Sequence, residues 1–156
     1  MVDRFDLKLL NLLQLDASRT ADSLSRDVPL SPSAIARRLR RLRSQGLVAG
    51  TIALLGVALT ESRLRAFTFI QLGEHANLAG KAALVKRLNE AAQVQFCYET
   101  TGEHDLLALF DCANLAEFNH LCDALLTTDS TVRRYETSFV KRQMKFAPYV
   151  ELARGS

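Results

Sequence analysis

A chain of 156 residues, 48% of them hydrophobic, is long enough for one medium domain or two small ones and too apolar to be largely disordered. Its net charge of +3 is unevenly spread: residues 1–50 hold nine Lys/Arg against five Asp/Glu, and residues 51–156 hold eleven against twelve. No run approaches the roughly 18 apolar residues of a membrane span, and MVDRFDLKLL lacks the basic and apolar regions of a secretory signal. A cytoplasmic protein with no membrane partner is therefore expected. The three cysteines, Cys97, Cys112 and Cys122, are odd in number and widely spaced, which indicates neither a disulfide framework nor a zinc site.

The first stretch, Asp3 to Leu15, places Phe5, Leu9, Leu12 and Leu13 on one helical face, with Leu10 beside it. Asp3 and Asp6 suit the start of that helix, where the macrodipole favours negative charge. Thr20 is placed to cap a second, shorter helix running to about Asp27, with Leu24 and Val28 facing inward. After the turn Val28-Pro29-Leu30 comes LSPSAIARRLRRLRSQG, from Leu30 to Gly46. Ser31 is a good N-cap, Pro32 fits the first helical position, and Gly46 suits a helix C-terminus. Ile35, Leu39 and Leu42 make a narrow apolar seam, and at about 100° per residue Arg37, Arg40 and Arg41 point well away from it, with Ser33 and Ala34. No Asp or Glu occurs between Val28 and Gly50 to balance the five arginines, which favours contact with a polyanion over an ordinary solvated face. Three helices in this span, the last two joined by a tight turn, predict a helix-turn-helix. Residues 47–55 predict a strand pair around Gly50, or one bent strand, as a short wing. The winged helix-turn-helix is set at 1–55, followed by a hinge at 56–63.

The remainder, 64–152, predicts a second domain. Arg65–Leu72 reads as a strand, Gly73–Asn77 as a loop, and Leu78–Ala92 as a helix with Leu78, Ala82, Val85 and Leu88 near helical spacing. Val94–Thr100 and Leu106–Cys112 read as a hairpin around the turn Thr101–Asp105. Asn114 is placed to cap a helix through about Leu126 with Leu115, Phe118, Leu121, Cys122 and Leu125 inward. Val132–Val140 is a fourth strand, and Lys145–Leu152 an extra terminal one. The order is βαββαβ, a ferredoxin-like arrangement, so the whole chain is α+β. Helices on one face of the sheet leave the other to be covered, most simply by a second subunit.

The chain resembles the leucine-responsive/asparagine regulator (Lrp/AsnC) family of transcription factors over nearly all of its length. The resemblance rests on DRFDLKLLNLLQLDASRT, LSPSAIARRLRRLRSQGLVAG, TTGEHDLLALF and VRRYETSFVKRQMK in that order. It implies a homodimer formed through the C-terminal sheets, assembling to a tetramer or octamer, and an amino acid or similar small effector bound between subunits near the hairpin turn. The effector residues implied are Tyr98, Gly102, Glu103, His104, Asp105 and Thr137. His104 is less usual for the family. Tyr135 stands where a threonine is often found, and Pro29 where glycine is usual.

For double-stranded DNA the expected mode places the 31–43 helix in the major groove with its N-terminal part nearest the bases. Ser31, Ser33, Ala34 and Arg37 are then expected at base edges. Arg38 and Arg41 are expected on phosphates, and Arg40 and Arg43 there or adding positive field. At the hairpin turn, Glu103 and Asp105 suit an α-amino group and the N–H groups of the Gly102 turn suit a carboxylate; a polar turn capped by Asp105 is the plainer reading. An enzyme is not expected: His75, His104, His120 and the cysteines are scattered, and no G-x-S-x-G, P-loop, H-E-x-x-H or dinucleotide fingerprint occurs. No cofactor is expected beyond the amino-acid effector, and no metal. The alternative function is a small-molecule-binding oligomer that mainly organises DNA, without an effector response. An effector-binding oligomer with no DNA function is disfavoured by the basic helix, and a small DNA binder by the second domain.

Overall fold

The computed structural model describes residues 2–73 and 78–153. The chain divides into two compact units, Met1–Leu54 with Lys145–Ser156, and Leu55–Met144.

The first unit is built on three helices, α1 (Arg4–Leu15), α2 (Ala21–Leu24) and α3 (Pro32–Ser44). Each starts on a side-chain cap. Asp3 accepts from the N–H groups of Phe5 and Asp6 at 2.8 and 3.0 Å, and the Asp6 carboxylate accepts from Asp3 N–H at 3.1 Å, a reciprocal capping box. Thr20 accepts from Ser23 N–H, and Ser31 from Ala34 N–H. Gly46, at φ +71°, ends α3 in the left-handed region, with Leu47 N–H returning to Leu42 C=O at 3.0 Å. Leu9, Leu24, Val28, Ile35 and Leu42 close the core. Leu10 belongs to it fully, whereas Phe5 and Leu12 are only partly buried against it. The second helix ends at Leu24, earlier than its sequence predicts, and turns carry the chain to Leu30.

Residues 47–55 form no strand, and residues 48–55 make no backbone hydrogen bonds with one another. Leu47, Ile52, Leu54 and Leu55 are exposed. The expected wing strand pair is thus absent among the described residues: two short strands on a glycine turn are marginal without a third strand or a packed face. The expected terminal strand at 145–152 is absent too. That segment lies with the first unit, where the Asn11 amide donates to Leu152 C=O at 3.0 Å and accepts its N–H at 2.9 Å. Gln14 does the same for Val150, at 2.9 Å in both directions. Two helix-borne amides therefore satisfy the backbone that a neighbouring strand would have paired, and Leu152 packs against the helical core.

The second unit opens with a single exposed helical turn, α4 (Val57–Thr60), inside the expected hinge. It continues with β1 (Leu64–Leu72), α5 (Leu78–Glu90), β2 (Val94–Glu99), β3 (Leu106–Cys112), α6 (Leu115–Cys122) and β4 (Val132–Phe139). The sheet order is β2-β3-β1-β4, antiparallel throughout. This is the predicted βαββαβ arrangement. His75 and the rest of the loop expected after Gly73 fall outside the described residues.

Alternation along the strands gives the sheet two distinct faces. Ala66, Thr68, Ile70, Leu106, Ala108 and Phe110 are buried, and all but Thr68 pack with Leu84 and Leu88 of α5 and Phe118 and Cys122 of α6. Phe110 and Phe118 meet edge to face at 5.7 Å. On α5 the buried face uses Leu84, and Leu78 is exposed, contrary to its sequence spacing. After α6 one π-helical turn, Asp123–Thr127, inserts an extra residue, with Thr128 N–H bonded to Asp123 C=O. The shift brings Leu126 into the core and leaves Leu125 at its edge, while Leu115 is exposed. The opposite sheet face carries Phe67, Phe69, Phe96, Tyr98, Leu107 and Leu109, with Phe67 and Phe96 at 6.1 Å and Phe96 and Tyr98 at 5.1 Å.

The amide pairs on α1 predict a measurable effect. Asn11→Ala is expected to lower stability by about 1 kcal/mol, the typical net worth of such bonds, and to expose the tail after Met144 to limited proteolysis. Unchanged melting and unchanged cleavage would show that the tail is held by Leu152 packing alone.

Candidate nucleic-acid interface and effector loop

The apolar seam of α3 is buried as its spacing predicts: Ile35 and Leu42 have no exposure and Leu39 is nearly buried. That fixes which side of the helix meets solvent. Ser31 and Ser33 are exposed near its N-terminus, their hydroxyls 3.1 Å apart. Ala34 is half-buried, and Arg37 is exposed one turn further on. Ser31, Ser33, Ala34 and Arg37 thus occupy consecutive turns at the start of the helix.

The five arginines are not equivalent. Arg38 donates through Nη1 to Asp3 at 2.6 Å and to Asp6 at 2.9 Å, and Arg41 pairs with the other oxygen of Asp6. Arg37, Arg40 and Arg43 are exposed and make no ion pair among the described residues. The acid-free stretch around α3 had suggested unpartnered guanidiniums, yet two of them find partners on α1. Asp3 and Asp6 suit the helix macrodipole as read from the sequence, and they also take charge from α3. Asp6 has no exposure. Burial would push its carboxyl up, but the Asp3 N–H and the Arg38 and Arg41 guanidiniums outweigh that and hold it below its ordinary value of 3.8.

In the second unit the hairpin turn is tied to β1. Asp105 N–H donates to Ile70 C=O, and the Asp105 carboxylate accepts from Leu72 N–H at 2.8 Å. The Asp105 carboxylate is therefore occupied by the backbone of β1 rather than by its own turn. Thr100 bonds across the turn to His104 C=O at 2.6 Å, and Gly102 has φ +111°, a conformation that favours glycine. Glu103 pairs with Arg134 at 2.9 Å, and Arg134 also donates to Gln71. The His104 ring packs on Phe69 at 5.4 Å, with its Nε2 unbonded and 3.9 Å from Glu136.

Tyr98, Glu103 and His104 are thus grouped with Phe69, Gln71, Arg134 and Glu136 on the helix-free side of the sheet and its hairpin edge. Thr137 does not join them. It pairs with Thr68 across β1 and β4, in the register that puts Ile70 opposite Tyr135, and its buried hydroxyl has no partner. Alternation sends it to the helix-covered face. Arg134, Glu136, Phe69 and Gln71 were not singled out from the sequence. The period-2 exposure of β4, with Arg134 and Glu136 on one side and Tyr135 and Thr137 on the other, is the signal that identifies the first two.

The other candidate chemical groups are inert or isolated. Burial pushes the Cys97 and Cys112 thiols up, and burial with the neighbouring Cys112 and Asp123 charges pushes Cys122 up to about 12. Such thiols are poor nucleophiles. His120 is exposed on α6. Among the described residues no group of three or more His, Cys, Asp or Glu is placed to hold a metal ion. No helix of the described residues is long and apolar enough to cross a membrane.

Residues 2–43 match the AsnC-type helix-turn-helix domain, and residues 65–150 match the Lrp/AsnC ligand-binding domain. The chain belongs to the Lrp/AsnC family. It is 30% identical over 155 residues to the leucine-responsive regulatory protein of Haemophilus influenzae, covering 97% of this chain and 90% of that one. It is 31% identical over 151 residues to the leucine-responsive regulatory protein of Rhizobium meliloti, covering 97% and 96%. In structure it is similar to a transcriptional regulator of Neisseria meningitidis solved as a complex with L-methionine, at a TM-score of 0.84 and 27% identity over 98% of this chain and 97% of that one. Escherichia coli AsnC shares the fold, with a TM-score of 0.77 at 19% identity over 94% and 96%. This Lrp/AsnC protein is a DNA-binding transcriptional regulator with a helix-turn-helix unit and a ligand-binding unit.

The Asp6 carboxylate sets an acid limit for the helix-turn-helix unit. Its pKa is depressed on folding, so its stabilising contribution is complete above the ordinary value of 3.8 and is lost as pH falls through the lower, folded value. Asp6→Asn removes that titration. Its stability, followed by circular dichroism below that pH, is expected to fall less steeply than that of the unaltered chain. Parallel acid curves would remove Asp6 from the groups that govern acid unfolding.

Proposed function

We propose that α3 of this regulator lies in the DNA major groove, with Ser31, Ser33, Ala34 and Arg37 at base edges and Arg40 and Arg43, which make no ion pair among the described residues, on phosphates. The observation that carries this reading is the pairing of a buried seam with an exposed, unpaired Arg37 next to the capped N-terminus of α3. An arginine in that position suits two hydrogen bonds to guanine, worth about 1–3 kcal/mol of discrimination. One such helix reads only a few base pairs. A second copy, joined through the aromatic face of the sheet, supplies a twin at fixed spacing, and the operator is an imperfect inverted repeat. Tetramers and octamers built from such dimers extend the same logic. The protein has no catalytic role in this reading and acts in the cytoplasm, where its DNA target is.

The effector is an amino acid, held between subunits at the hairpin turn. The L-methionine complex of the Neisseria meningitidis regulator supports this choice of ligand class. The ligand would meet Tyr98, Glu103 and His104 with Arg134 and Glu136, and Gly102 leaves its turn N–H groups open to a carboxylate. Thr137 is left out of this set because of the face it occupies. The second reading, an oligomer that organises DNA without an effector response, is favoured by one observation: Glu103, Arg134 and Glu136 already pair with one another.

Two measurements test these readings. Arg37→Ala is expected to weaken binding to a selected operator about tenfold or more, the lower range of one lost bidentate contact, and to change binding to random duplex far less. Equal losses on both duplexes would remove Arg37 from the base-reading set. Calorimetry of the oligomer with each of the twenty amino acids is expected to give heat for at least one, abolished by Arg134→Ala. No heat at millimolar concentration would favour the effector-free alternative.

A further inference from the structure

The arginines of α3 divide by partner. At about 100° per residue, Arg38 and Arg41 lie about 60° apart and Arg37 lies about 40° beyond Arg41, so it is the pairing with α1 that separates Arg38 and Arg41 from Arg37 and Arg40. Asp6 joins Arg38 and Arg41. One of its oxygens accepts from Arg38 at 2.9 Å, and the other accepts from Arg41 and from the Asp3 N–H. Asp3 adds a second contact to Arg38 at 2.6 Å. The Arg38 guanidinium also lies 5.8 Å from the centre of the Phe5 ring. Arg38 is mostly covered, and Asp6 is fully covered.

We infer that Asp6 is a positioning residue for DNA recognition, which withholds Arg38 and Arg41 from the phosphates and fixes the roll of α3. This rests on α3 being the DNA-reading helix. Its apolar seam is three residues wide in sequence and one side chain wide in space, so packing alone resists rotation about the helix axis weakly. Two guanidiniums one turn apart, each on its own oxygen of a single buried carboxylate, supply a two-point anchor. Exchanging either for a DNA phosphate would strand part of a buried charge, which is strongly unfavourable. The pair therefore stays on α1 when DNA arrives. Phosphate contact falls to Arg40 and Arg43, and base contact to Arg37. The anchor makes the helix present one guanidinium to the bases in one orientation, rather than five to the backbone in many.

The test is the salt dependence of binding to a short random-sequence duplex, measured on the full chain. Each phosphate contact contributes about 0.9 to the slope of log affinity against log salt. Arg41→Gln and Arg38→Gln, which keep an amide donor toward Asp6, are expected to leave that slope unchanged. Arg40→Ala with Arg43→Ala is expected to flatten it by about 1.8, two phosphate contacts. Asp6→Asn keeps an acceptor for the Asp3 N–H, releases Arg41 and leaves Arg38 only its Asp3 contact. It is expected to steepen the slope by up to about 1.8, raise random-duplex affinity, and lower the ratio of selected-operator to random binding. A merely structural Asp6 would lower the melting temperature and both affinities together, with no change of slope, and that result overturns the inference. Flattening by about 0.9 in Arg41→Gln overturns it as well. If Asp6→Asn does not fold, the two glutamine variants decide the matter. A slope unmoved by the Arg40 and Arg43 substitutions shows instead that α3 is not the interface, a separate failure.

Discussion

A carboxylate removed from water needs charge and hydrogen bonds to remain ionised, and in the helix-turn-helix unit that demand ties the first helix to the third. Asp6 is where it is met: the capping box of α1 supplies one N–H and α3 supplies two guanidiniums. The same atoms therefore start one helix and orient another. Because the acid is fully buried, its bonds are screened less than surface pairs are, and removing a guanidinium leaves part of its buried charge unpaired. The basic helix is consequently less basic toward solvent than its five arginines suggest, and its positive field is concentrated on the outer side.

The ligand-binding unit rests on a different constraint, the period-2 alternation of its strands. Facing the helices, Ala66, Ile70, Ala108 and Phe110 are small or apolar and close-packed. On the opposite face, Phe67, Phe69, Phe96 and Tyr98 form an aromatic stripe. Toward one end of the stripe the surface becomes ionic, with Arg134, Glu103 and Glu136 around the hairpin turn. Toward the other end, Asp111 is held below the usual carboxylate range: burial raises it, and the Arg65 and Arg63 guanidiniums more than compensate.

Much of the architecture is written in short-range pattern. Ser31, Pro32 and Gly46 mark the limits of α3 because capping is a local matter of hydrogen bonding and φ. The strands of the second unit announce themselves by apolar and aromatic runs on either side of the Gly102 turn. Errors arise where an element depends on a distant partner or on a phase shift. Residues 47–55 have strand-like composition but pair with no strand among the described residues. The terminal segment has it too, and is held instead by Asn11 and Gln14. On α6 one π-helical turn moves Leu126 inward at the expense of Leu125, which a uniform helical period does not foresee.

The sequence by itself determined the helix-turn-helix, the βαββαβ order, the basic face of α3 and the position of the hairpin turn, because each follows from spacing and local chemistry within one element. Only the tertiary structure decided which arginines are spoken for and which face of the sheet Thr137 occupies. Asp6 and Arg41 are 35 residues apart in the chain, and no period links them; their pairing exists only once α1 and α3 are packed. Thr137 and Glu136 are adjacent in the chain yet on opposite faces of the sheet, because the register of β4 on β1 sets which of two neighbours faces the helices.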